Sequence, residues 1–154
     1  LIGVKEKKKS QVGKVITFPQ GLIGFEGFKN YLLLQLKEYE PFLWLLSLEV
    51  KRLKFPLLEP ADFYPKYEPE ISKEDLKSLG AKDIKELKVY CLVSLGNGKT
   101  TVNLKGPVLI NPKMRLAKQV VLSEPSYPLR YPLMKPISEK IKKAHLKDEG
   151  PYND

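Results

Sequence analysis

Cysteine, histidine, tryptophan and long apolar runs are all scarce in this chain. Its 154 residues hold one cysteine, Cys91, and one histidine, His145. A single thiol makes no internal disulfide and no cysteine-built zinc site, and it fits a reducing compartment. The longest apolar run, Phe42 to Leu46, is far short of the roughly 20 residues that a membrane-spanning helix needs. The lysine-rich N-terminal region is not followed by an apolar stretch, so no secretory signal is expected. Catalytic motifs are missing as well: no phosphate-binding glycine loop, HExxH helix, calcium loop or G-x-S-x-G elbow occurs. Cys91 falls on the apolar face of an alternating segment, which reads as a small core residue rather than a nucleophile. His145 lies in a polar C-terminal stretch, and Ser47, Ser94 and Ser123 have no neighbouring base motif. No catalytic residue, metal ligand or cofactor is expected.

What the chain does have is charge, proline and short apolar segments. The net charge is +9, which permits anionic partners without selecting them. Residues 1–14 carry five lysines against one glutamate, so residues 1–12 read as a basic arm. Thirteen prolines and ten glycines cut the rest into short pieces. "GKVIT" reads as a strand that ends before Pro19. Gly21, Gly24 and Gly27, interleaved with Phe25 and Phe28, form a loop pinned by aromatics. "YLLLQL" and "FLWLLSL" suit strands buried on both faces, and Pro56 marks "KFPLLEP" as an edge strand or a bulge. Ser72 with Asp75 at the capping-box position and Gly80 at the stop predicts a short helix. "ELKVYCLVSL" alternates, placing Leu87, Val89, Cys91, Val93 and Leu95 on one face. "GNG" at 96–98 then predicts a hairpin into "KTTVNL". "VLIN" and "QVVLS" (Gln119 to Ser123) read as further strands. Ile137 and Ile141 predict a C-terminal amphipathic helix or tail over 135–154.

Many short strands and few helical segments predict a mainly β fold. The expected form is a small antiparallel β-barrel-like domain over 13–134 with one or two short helices. Closure is favoured because it hides strand edges. Two amides stand out in "TTVNLKGPVLIN". Asn103 and Asn111 each sit where a strand meets a break, and are expected to fix turns by bonding nearby backbone. Removing the Asn111 side chain should then cost about 1 kcal/mol. A direct RNA-binding barrel is an alternative, resting on Tyr127, Arg130, Tyr131 and Lys135.

Taken in order, "ITFPQGLIGFEGFKNYLLL", "PFLWLLSL", "TTVNLKGPVLINPKMRLAKQVVL" and "YPLRYPL" resemble the flagellar assembly factor FliW family. The residues that carry the likeness are Phe18, Pro19, Gly21, Gly24, Phe25 and Glu26, then Asn103, Leu104, Pro107, Ile110, Asn111 and Gln119. The resemblance implies a cytoplasmic, non-enzymatic protein with a small β-barrel and chaperone-like role in flagellum biogenesis. Its implied partners are flagellin, held through its C-terminal region, and the translational regulator CsrA, with no membrane and no nucleic acid bound directly. Free of flagellin, such a protein antagonises CsrA and so couples flagellin synthesis to export. The family tends to be acidic whereas this chain is basic, which makes Glu68, Glu70, Glu74 and Asp75 the candidate acidic contacts.

Overall fold

The structure is a computed structural model that describes residues 13–96, 98–123 and 126–146, with side chains up to residue 143. The basic arm over 1–12, residues 147–154 and the side chain of His145 lie outside the described residues. Among the described residues nine strands follow one another: β1 Gly13–Thr17, β2 Asn30–Leu34, β3 Leu43–Ser47, β4 Lys54–Leu58, β5 Lys88–Gly96, β6 Lys99–Val102, β7 Val108–Asn111, β8 Leu116–Gln119 and β9 Tyr131–Pro132. Helix α1 covers Lys73–Ser78 and helix α2 covers Lys135–Leu146.

Strands β1 to β4 form an antiparallel meander. Leu57 and Leu58 of β4 then pair with Leu92 and Cys91 of β5, β5 pairs with β7, and β7 pairs with β8. A single parallel register pair, Thr17 with Leu116, returns β8 to β1, and the Thr17 amide donates to the Arg115 carbonyl at 3.0 Å. Seven strands thereby close a barrel, the mainly β class that the segment pattern predicts. β5 runs on past the barrel into a hairpin with β6, whose other edge takes β9.

Pro56 stands opposite Trp44, one residue before β4 begins to pair with β5. Its missing amide therefore falls where one side of β4 is still open, while Leu57 and Leu58 pair with β5. The strand is not simply an edge, since its last two residues join the meander to β5. All seven barrel strands send side chains into one interior cluster, which includes Ile16, Tyr31, Leu45, Leu57, Tyr90 and Ile110. Trp44, Leu46, Leu58, Cys91 and Val93 point the other way, under Ile141 of α2 and the rings of Tyr64, Tyr67 and Tyr127. A third cluster packs Leu79 and Ala81 against Leu109, Val120 and Leu122.

Two sequence expectations need correction. The five alternating residues of β5 do not share one core: Cys91 and Val93 face the second cluster, Leu87 and Val89 the third, and Leu95 is exposed, while Tyr90 and Leu92 face the barrel interior. Both faces of β5 are covered, so its period of two marks sides without saying which is inside. Strand β8 also runs Leu116–Gln119 and not the expected Gln119 to Ser123, so only Gln119 is common to both. The Asn111 side-chain oxygen accepts from the Lys113 and Met114 amides (3.1 and 3.3 Å), so the turn is tight and Leu116 already pairs with Asn111. Helix α1 follows its sequence signals. Ser72 Oγ accepts from the Asp75 amide at 3.0 Å, and the Ala81 amide reaches back to the Leu76 carbonyl past Gly80.

Candidate partner-binding surface

The loop after β1 is built on its first aromatic. Phe18 is fully buried and meets Tyr31 edge-on at 5.3 Å, while its amide donates to the Lys29 carbonyl at 2.7 Å. From that anchor the chain turns back sharply. Gly21 has φ +69, and a Cβ there would stand 2.6 Å from Glu26 Cα. Glu26 closes the loop by accepting from the Gly24 amide at 3.0 Å. Phe25 rests edge-on against Phe55 of β4 at 5.1 Å. Ile23 is left 53% exposed.

A second carboxylate braces the end of the loop. Glu49 accepts from the Lys29 amide (2.9 Å), the Asn30 amide (3.2 Å) and the Asn30 side chain (2.8 Å). These bonds, the Lys29 amide foremost, hold its carboxyl below the ordinary 4.5. A carboxylate whose value is lowered by folding stabilises fully above its unfolded value, and that contribution disappears as pH falls through the folded one. Glu49→Gln is therefore expected to flatten the acid limb: Tm should fall less from about pH 6 to about pH 3 than in the wild type. Equal slopes would remove Glu49 from this role.

Opposite the loop lies the interruption between β6 and β7. Val102 pairs with Val93 and Val108 with Tyr90, so the chain advances six positions while β5 advances three. The surplus residues form a compact bulge. The Asn103 side-chain oxygen accepts from the Gly106 amide at 2.8 Å, and the Tyr67 hydroxyl donates to the Leu104 carbonyl at 2.6 Å. Leu104 is fully buried in the second cluster, and Pro107 at the end of the bulge is buried as well. At Gly106 a Cβ would lie 3.0 Å from both the Asn103 and Gln119 side-chain nitrogens, so the two amides pack directly onto its backbone.

Gln119 joins the two motifs. Its nitrogen donates to the Gly106 carbonyl and its oxygen accepts from the Ile23 amide, both at 3.0 Å. Residues far apart in sequence, Gly21 to Glu26 and Asn103 to Gly106, thus form one rim. Ile110 points into the barrel, and Asn111 lies at the far end of β7, where its nitrogen donates to the Leu79 carbonyl at 2.7 Å. Pro19 is exposed on the loop.

Between loop and bulge runs an apolar cleft of about 400 Å³ lined by Leu22, Ile23, Phe25, Phe55, Val121 and Leu129 among others. Val121 is 62% and Leu129 56% exposed. Exposed apolar side chains gathered around one groove are the usual mark of a protein-binding surface. Neither Val121 nor Leu129 stands out in the sequence. The available signal for Val121 is that it alternates between the buried Val120 and Leu122.

The acidic residues lie elsewhere, and none of the four lines this cleft. Asp75 is paired with Lys118 at 2.5 Å. Glu68, Glu70 and Glu74 are exposed, and Glu68 borders a separate groove with Glu59 and Tyr64. The rings of the RNA-binding alternative are packed together: Tyr64 meets Tyr131 at 5.2 Å and Tyr67 meets Tyr127 at 4.8 Å, all edge-on. Cys91 is fully buried, and burial pushes its thiol up to about 12, far from a reactive thiolate. Among the described residues no group of three His, Cys, Asp or Glu side chains is placed to hold a metal. No helix among them is long and apolar enough to cross a membrane.

A model of the FliW family, described as FliW protein, matches residues 3–133, which includes loop, bulge and cleft. The chain belongs to the FliW family. The flagellar assembly factor FliW of Natranaerobius thermophilus is 40% identical over 134 residues, covering 85% of this chain and 89% of that one. The FliW of Thermosipho africanus is 35% identical, covering 78% and 85%. A crystal structure of the flagellar assembly factor FliW superposes with a TM-score of 0.73 at 30% identity, over 86% of this chain and 91% of that one. The family is one of flagellar assembly factors, and the ordered motifs that suggested it belong to a shared fold. Helix α2 lies beyond the span that the family model matches.

Proposed function

We propose that this chain is a cytoplasmic, non-enzymatic assembly factor that binds flagellin through flagellin's C-terminal region. When free, it binds and antagonises CsrA. Membership of a family of flagellar assembly factors carries this reading, and the apolar cleft is the surface that suits it best. Its rim is built from family-motif residues, while Ile23, Val121 and Leu129 offer apolar contact that a monomer does not use. Flagellin binding and CsrA binding are then linked equilibria, in which each ligand withdraws the protein from the other. The candidate contacts for CsrA are the exposed Glu68, Glu70 and Glu74, whose charge complements a basic partner. Asp75 is already neutralised in part by Lys118.

Capture of flagellin by purified protein is the test. The double variant Val121→Asp, Leu129→Asp is expected to weaken binding at least tenfold, about 1.4 kcal/mol or more. Deleting flagellin's C-terminal segment should abolish it. A wild-type protein that retains neither intact nor truncated flagellin would sink the proposal. Direct RNA binding is disfavoured, since the two tyrosines it needs are packed edge-on against Tyr64 and Tyr67.

A further inference from the structure

A second cleft, of about 950 Å³, opens where the β5–β6 hairpin and β9 meet the first turn of α2. It is more polar than the apolar cleft and carries more cations. Lys99, Arg130 and Lys135 line it, and among the described residues no carboxylate does. All three cations are exposed. Helix α2 begins at its rim, which adds the partial positive charge of a helix N-terminus. Inside it, Thr100 is only 5% exposed and its buried hydroxyl has no hydrogen-bond partner. A buried hydroxyl without a partner costs stability unless something else completes it. The two clefts are continuous: Ser94, Asn103 and Leu129 belong to the walls of both.

We infer that the basic cleft takes an acidic, extended peptide segment, and that this segment belongs to the same partner that fills the apolar cleft. Three cations with no opposing carboxylate among the described residues supply the charge complement. A peptide is favoured over a polynucleotide by two observations. The continuous surface turns apolar beyond Leu129, which suits side chains and not a phosphate backbone. The nearest aromatic rings, Tyr127 and Tyr131, are packed edge-on in their own cluster, so bases find no stacking platform. Only the identity of the partner rests on the function proposed above; the chemistry of the cleft does not.

The test is an amide-resolved NMR titration of the full chain at low salt with poly-L-glutamate. Parallel titrations use single-stranded oligouridylate and inorganic phosphate. Poly-L-glutamate is expected to shift the amides of Lys99, Thr100, Arg130 and Ser138, with binding that weakens as salt rises. The variant Lys99→Gln, Arg130→Gln, Lys135→Gln should bind it at least tenfold more weakly while keeping the wild-type Tm, because all three side chains are exposed. Absence of those shifts would overturn the inference, as would tighter binding of oligouridylate at the same amides. Equal shifts with phosphate would reduce the cleft to a simple anion site and overturn it too. Failure of the partner is read separately: poly-L-glutamate binding with no flagellin capture keeps the cleft and removes flagellin. Flagellin capture that is indifferent to the triple variant, without poly-L-glutamate shifts, removes the cleft and keeps the function.

Discussion

Replacing Gly21 by alanine is expected to destabilise the protein by about 3–5 kcal/mol, near the upper end for a single substitution. Two costs combine. An L-residue at φ +69 pays about 1–2 kcal/mol for the left-handed conformation. The added Cβ would also stand 2.6 Å from Glu26 Cα and 2.8 Å from the carbonyl oxygens of Glu26 and Phe25. All three are backbone atoms, so relief requires the loop itself to open. At this chain length the loss corresponds to a Tm drop of roughly 10 °C. Gly27→Ala is the control: nothing lies within 4 Å of a Cβ there and its φ is ordinary, so its effect should stay within about 0.5 kcal/mol. Urea unfolding of the two variants decides the matter. If both are equally stable, the tight return of the loop onto Glu26 is wrong. The same substitution should weaken flagellin capture, because the loop carries Ile23 and Phe25 to the cleft.

Asn111→Ala is expected to cost about 2–3 kcal/mol, more than the sequence alone suggests. The side chain is 3% exposed and makes three hydrogen bonds. Two of them hold the turn into β8. The third donates to the carbonyl of Leu79, at the end of α1, where helix carbonyls lack intrahelical partners. Alanine leaves that carbonyl and the Lys113 and Met114 amides without this partner, and removes one of the ties between α1 and the barrel, beside the Asp75–Lys118 pair. Thermal unfolding measures the cost, and amide exchange in residues 73–80 should rise. Unchanged stability with loss of flagellin binding would make the amide a recognition group instead.

Features encoded within a few residues were legible in the sequence. The β-rich class follows from short apolar pieces cut by proline and glycine. The cap of α1 follows from Ser72 and Asp75, and the hairpin from its glycines. The ordered motifs point to the family before any contact is known. What stayed hidden depends on distant partners. Gln119 looks like an ordinary strand terminus, and only closure of the barrel puts its amide between Ile23 and Gly106. Val121 and Leu129 each look like core candidates, and only the fold leaves them uncovered. In β5 the period of two is plain, but both faces are covered, so hydrophobicity does not distinguish interior from exterior. The interruption at Asn103 to Pro107 reads as a turn, yet it is surplus length absorbed against a continuous β5.

The single register pair between Thr17 and Leu116 bears on how the molecule is made. Its two residues are separated by roughly a hundred positions, so joining them closes a long loop for very little pairing in return. The β1–β4 meander pairs only neighbouring segments, all of them synthesised by residue 58. During synthesis it must therefore wait, with its last strand open, until β5 to β8 arrive. The seam is expected to be the last barrel contact made in folding, since the other barrel pairings join segments closer in sequence.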